Sequence, residues 1–118
     1  MIMSLIYVFF GGGVGSVLRY LISTIFKNHH FPLATLYSNI LSCLILALGI
    51  MIIQKCELSN NVNLFLIIGF CGGLSTFLTF CYETINLLRL GYMNYAFLNI
   101  LFSIVVCCSV LYILMKNL

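Results

Sequence analysis

Four long stretches of this sequence carry no charge, and that decides the fold class before any motif is considered. Residues 1–18, 28–54, 58–82 and 90–115 contain no Lys, Arg, Asp or Glu, and each meets or approaches the roughly 20 residues an α-helix needs to cross a bilayer. The chain of 118 residues is 64% hydrophobic and 6% charged, whereas soluble domains are roughly a quarter charged. An all-α integral membrane protein follows, a single transmembrane domain over 1–118 with four helices near 4–26, 33–53, 63–88 and 93–115. The first run is short but continues past Arg19 through Leu21 to Phe26. It has no basic n-region and no small-residue cleavage site, so it is expected to be retained as a helix.

The third span has the wrong composition for an anchor. Gly69-Phe70-Cys71-Gly72-Gly73-Leu74-Ser75-Thr76-Phe77-Leu78-Thr79-Phe80, followed by Glu83, gathers glycines, hydroxyls, two phenylalanines at i,i+3 and a carboxylate inside an apolar segment. Every polar group at membrane depth must be satisfied without bulk water. Glycines permit a break in a helix, and helix 3 is therefore expected to break near Gly72-Gly73. Such a break is tolerated only where the freed carbonyls and N–H groups meet protein, water or an ion.

Polar stripes recur on the other helices. On helix 1, Gly11 and Gly15 form a small-xxx-small pair, in line with Arg19 and Ser23 at i,i+4 spacing, a pattern that should face protein. Arg19 either snorkels to an interface or places positive charge at the mouth of an anion path. Helix 2 carries Thr35, Asn39 and Ser42, with Ser38 adjacent, and helix 4 carries Asn99, Ser103 and Cys107. Asn39 either bonds across a helix interface or offers its NH2 donors to an ion. Any one of these residues is commonly structural; recurrence on three helices suggests a shared path.

Other chemistries find no residues to act with. No carboxylate pair, Ser/His/Asp set or metal cluster appears, which speaks against an enzyme. His29 and His30 lie in a short polar connector and read as solvated. Five of the six cysteines fall inside helices, Cys56 being the exception, and they read as small packing residues with no disulfide framework. The net charge of +3 is scattered, too weak for a nucleic-acid surface. Lys55 and Lys116 fall on one side of the membrane, Lys27 and Arg89 on the other, so positive charge does not choose an orientation. Such a chain can insert both ways, which permits an antiparallel homodimer. A lining of NH2 and OH donors with the positive edges of Phe77 and Phe80 suits a small, hard anion.

The central motif resembles that of the Fluc/CrcB fluoride channels, whose pattern runs close to Gly-Phe-Cys-Gly-Gly-x-Thr-Thr-Phe-Ser-Thr-Phe with an acidic residue three positions on. Gly-Gly-x-Gly followed by Arg19-Tyr20, and Thr35-Leu36-x-x-Asn39, extend the likeness in the family's order. The resemblance implies passive, fluoride-selective export and fluoride resistance in a prokaryotic plasma or inner membrane. It implies a dual-topology homodimer with two antiparallel pathways, lipid around it and a structural sodium ion at its centre. By motif position, Phe77 and Phe80 would be ring-edge fluoride contacts, Asn39 a pore amide, and Thr79 and Ser103 hydroxyls of the pathway. Arg19 would lie near a vestibule. Backbone carbonyls of Gly72 and Ser75 from both subunits would hold the sodium, and Glu83 keeps a family position without a defined role.

The chain departs from the family pattern at Leu78, where a serine is usual, at Ser75 for threonine, at Ala34 and Ser42 for glycines, and at Asn99 for tyrosine. Some members work as pairs of unlike subunits, so a second homologous subunit is a conceivable partner; retention of both phenylalanines and Asn39 favours self-sufficiency. The alternative from another class is a small multidrug-type, proton-coupled cation exporter, also four short helices. That activity needs a carboxylate in helix 1, where this chain has Arg19.

Overall fold

The computed structural model describes residues 1–26, 32–57 and 59–116. The connector containing Lys27, His29 and His30, read above as solvated, lies outside them. Among the described residues every regular element is helical: α1 (Ile2–Ile25), α2 (Leu33–Cys56), α3 (Asn60–Asn63), a π-helical segment (Leu64–Cys71), α4 (Gly72–Leu74), α5 (Phe77–Arg89) and α6 (Met93–Met115). Four spans are long and apolar enough to cross a membrane, the third being Asn60–Arg89 as a whole. With no water in a bilayer core, helices satisfy their backbone internally; long apolar side chains such as Phe9, Ile25, Phe97 and Ile113 can then point outward, as they do.

Close backbone approach holds the first span to the third. Gly11 and Gly15 are buried on α1, and a Cβ at either would overlap a carbonyl oxygen, that of Phe65 or Phe70 respectively. The contact is reciprocal, since a Cβ on Gly73 would lie 2.5 Å from the Gly12 carbonyl oxygen and one on Gly69 would lie 2.9 Å from that of Val8. Dispersion across such backbone contacts, rather than a hydrophobic drive, is what holds helices together in lipid. The other main pairing is α2 against α6, with Ala47, Ala96, Asn99 and Ser103 buried.

The third span changes character along its length. Its π-helical turns lead into α4, whose Leu74 is fully buried, and then two residues leave helical geometry: Ser75 at φ −76°, ψ 152° and Thr76 at φ −150°, ψ 119°. Gly72 itself is helical at φ −63°, ψ −35°. The glycine that must lack a Cβ is thus Gly73, for contact with α1, while a Cβ on Gly72 would meet open space. Thr76 restarts the helix as an N-cap, its hydroxyl accepting the Thr79 N–H at 3.2 Å. α5 ends in a Schellman motif: the Gly91 N–H reaches the Leu88 carbonyl at 3.2 Å, and Gly91 at φ +89° turns the chain so that the Tyr92 N–H reaches the Leu87 carbonyl at 2.9 Å.

Because the neighbours of Gly15 are backbone atoms, which cannot rotate away, Gly15→Ala is expected to destabilise the protein by about 1–3 kcal/mol. Gly13, whose Cβ would meet nothing within 4 Å, should accept Ala with no loss. Thermal unfolding in detergent followed by circular dichroism checks the contrast.

Candidate functional site

Around Ser75 and Thr76 two cavities adjoin. The first, of about 320 Å3, is lined mostly by polar residues: Ser16, Arg19 and Ser23 of α1, Thr35 and Ser38 of α2, and Thr76, Thr79 and Glu83 of the third span. The second, of about 310 Å3, is mostly apolar and is lined by Asn39 and Cys43 of α2, Ser75, Phe77 and Phe80 of the third span, and Ser103 and Cys107 of α6. Thr76 lines both.

One hydrogen bond organises the junction. The Thr76 N–H, which in a continuous helix would bond the Gly72 carbonyl four residues back, instead donates to Asn39 Oδ1 at 2.9 Å. A backbone N–H only donates, so this contact settles which end of the amide faces it, a choice that amides otherwise leave open. The two Nδ2 donors are therefore left to the second cavity. The Thr79 N–H, which would have bonded the Ser75 carbonyl, is taken by the Thr76 hydroxyl. Both the Gly72 and the Ser75 carbonyls thus fall outside the helical ladder, on residues that are exposed.

In the polar cavity, the Thr35 hydroxyl donates to Glu83 Oε1 and ties α2 to α5. The Thr76 hydroxyl donates to that of Thr79 at 3.1 Å. The Ser38 hydroxyl is buried and has no hydrogen-bond partner among the described residues; Ser42 is in the same state. Unpartnered buried hydroxyls are uncommon; Ser38 borders the cavity as a residue, but its hydroxyl oxygen is closed off from it. The rings of Phe77 and Phe80 lie 6.0 Å apart at 35°. Phe77 and Leu78 are 77% and 81% exposed, so this pair is not packed as an intramolecular core.

The structure thus gathers Arg19, Asn39, Phe77, Thr79, Phe80, Glu83 and Ser103 around two adjoining cavities, with Ser75 at the edge of the second and Gly72 on the exposed side of α4. The α6 stripe divides. Ser103 and Cys107 reach the cavity, whereas Asn99 is fully buried and donates from Nδ2 to the Thr84 hydroxyl at 2.8 Å. Its Oδ1 accepts a long, weak bond of 3.4 Å from Ser103. Thr84 was missed in the sequence, as was the Thr35 partnership of Glu83; both depend on which helices pack together. Thr76 was better signposted, since a threonine directly before a helix restart is an N-cap candidate.

The CrcB-like protein (Camphor Resistance) family matches residues 6–115. The chain belongs to the CrcB family. It is 39% identical over 105 residues to the fluoride-specific ion channel FluC of Phocaeicola vulgatus, which covers 86% of this chain and 87% of the relative. The proteins of the same name from Serratia proteamaculans and Pyrococcus abyssi are 43% and 42% identical over 107 and 105 residues, covering 88% and 87% of this chain and 84% and 85% of their own lengths. Those relatives are named as channels, not enzymes. Four apolar spans in a chain of this family make it a multi-pass membrane protein.

Asn99→Leu is expected to cost this CrcB-family chain about 1–3 kcal/mol, because it strips the amide from Thr84 and Ser103 in a dry interface. Adding Thr84→Val should restore part of the loss, a coupling that a double-mutant cycle of thermal unfolding would read.

Proposed function

We propose that the protein is a fluoride-selective channel that lets cytoplasmic fluoride leave down its electrochemical gradient across a prokaryotic plasma or inner membrane. The observation that carries this reading is the Asn39 amide, held at its oxygen by the Thr76 N–H so that its donors face a cavity edged by Phe77 and Phe80. The names of the relatives supply the ion. Fluoride is small, hard and strongly hydrated, so a path must replace its lost water with close donors. Arg19 supplies positive charge in the polar cavity, and Thr76 and Thr79 line the way towards Asn39. Past the amide, the hydrogen-bearing ring edges of Phe77 and Phe80 carry the positive end of the ring quadrupole. Ser103 can turn its hydroxyl from its weak 3.4 Å bond to the ion. No energy source is needed, because fluoride enters cells as neutral HF, dissociates and is trapped as an anion that the membrane potential drives outward.

The assembly in this reading is an antiparallel homodimer with two pathways. It is supported by the near absence of a positive-charge bias and by the exposure of Phe77 and Leu78 beside the second cavity. A structural sodium ion belongs to the same reading. Sodium is a hard cation and takes oxygen donors, and the Gly72 and Ser75 carbonyls, both outside the helical ladder and both on exposed residues, are donors of that kind. Two oxygens are too few to replace the hydration shell of such an ion, so the fit requires the same pair from a second copy. The sodium would neutralise the carbonyl dipoles at the centre of the dimer.

Fluoride efflux from liposomes holding only the purified protein, with valinomycin to release charge and chloride followed in parallel, tests the reading. Rapid fluoride release with little chloride release is expected; no release from folded protein overturns it. Asn39→Asp replaces donors with a repelling charge and should lower flux at least roughly tenfold, given about 1.5–3 kcal/mol for a hydrogen bond to an ion. Phe77→Ile and Phe80→Ile should each cut flux sharply with the dimer intact.

A further inference from the structure

Two thiols lie in the second cavity that the conduction reading does not use. Cys43 follows Asn39 by one helical turn on α2, and Cys107 follows Ser103 by one turn on α6; all four line the same space. The two residues come to that cavity from two helices that pack against each other, Cys43 from α2 and Cys107 from α6. Both residues are half-buried free cysteines. A layer of two sulfurs therefore sits one turn, about 6 Å, beyond the layer of amide and hydroxyl donors.

We infer that Cys43 and Cys107 form a two-coordinate binding site for a soft d10 cation, the mercuric ion above all, which bridges α2 and α6 and closes the cavity beside Phe80. Three arguments select this class. Thiolates are soft ligands and favour soft metals over the hard cations that carbonyls take. Among the described residues no three His, Cys, Asp or Glu side chains come together, so ions that require three or four protein ligands, such as structural zinc, lack a full set. Charge narrows the choice further: a divalent ion on two thiolates is a neutral unit, which an apolar cavity accepts at far less cost than a charged one. Mercuric ion in chloride solution travels as the neutral dichloride, so positive charge at Arg19 does not exclude it. Binding exchanges two chlorides for two sulfurs, and two chloride ions and the two thiol protons leave to water.

The proposed block of flux rests on the conduction reading above, and the test separates the two. Purified protein is titrated with mercuric chloride while the sulfur-to-mercury charge-transfer absorbance is followed, and fluoride efflux is measured on the same samples in liposomes. Cys56→Ser/Cys108→Ala protein, free of the two exposed thiols, serves as parent. The expected result is one tightly held equivalent per chain, with efflux reduced at least tenfold and restored by a dithiol chelator. Adding either Cys43→Ala or Cys107→Ala should abolish the bis-thiolate absorbance and weaken retention of the ion against the chelator at least tenfold, whatever the variant's own flux. Bis-thiolate absorbance that persists in both variants, or is absent from the parent, overturns the site. An occupied site with unchanged efflux overturns the bridging block but leaves conduction standing. Failure of the untreated parent to release fluoride counts against the conduction reading alone, because the absorbance still decides the site.

Discussion

A single N–H that cannot bond its own helix governs the centre of this protein. In lipid there is no water to absorb a stray backbone donor, and each one left unmet costs several kcal/mol. Thr76 breaks the ladder, and Asn39 on another span receives the donor. That bond turns the amide so that its donors enter the second cavity, takes the Gly72 carbonyl out of the ladder and joins α2 to the third span. Local geometry, helix packing and site chemistry thus meet in one contact of 2.9 Å.

The contact depends on how near the third span can come to its neighbours. Gly11, Gly15, Gly69 and Gly73 let two backbones touch where side chains would hold them apart. This anchors the π-helical segment and α4 against α1, so the chain beyond Leu74 starts from a fixed place. On the far side, α5 is tied back by Thr35 to Glu83 and by Asn99 to Thr84. The two extended residues are thereby held between fixed parts rather than left as a loop.

Much of this was legible in the sequence because bilayers impose blunt constraints. Four charge-free runs are enough to identify four spans, and Gly11 with Gly15 is enough to identify a face that must meet protein. The motif around Gly72 identified the family before any geometry was known. What stayed hidden depends on pairing across helices. The spacing of Asn99, Ser103 and Cys107 describes one stripe, yet a stripe does not reveal where cavity ends and interface begins; Asn99 lies on the interface side, spent on Thr84. Glu83 had no role that could be derived because its partner Thr35 is 48 residues away. The glycine pair illustrates a third limit. Permissive dihedrals invite a break at Gly72-Gly73, but composition does not show that Gly73 serves close packing and that the extended dihedrals fall on Ser75 and Thr76.

The donor that orients Asn39 belongs to the main chain, and this shapes how the protein can vary over generations. Every residue except proline supplies that N–H, so of all substitutions at position 76 only Thr76→Pro removes it. Most changes at position 39, by contrast, remove the acceptor at once; Asp alone keeps an oxygen in the same place. The two positions are physically joined and yet have little reason to covary. Statistical methods that find contacts by correlated substitution are therefore blind to the very bond on which the centre of the molecule turns.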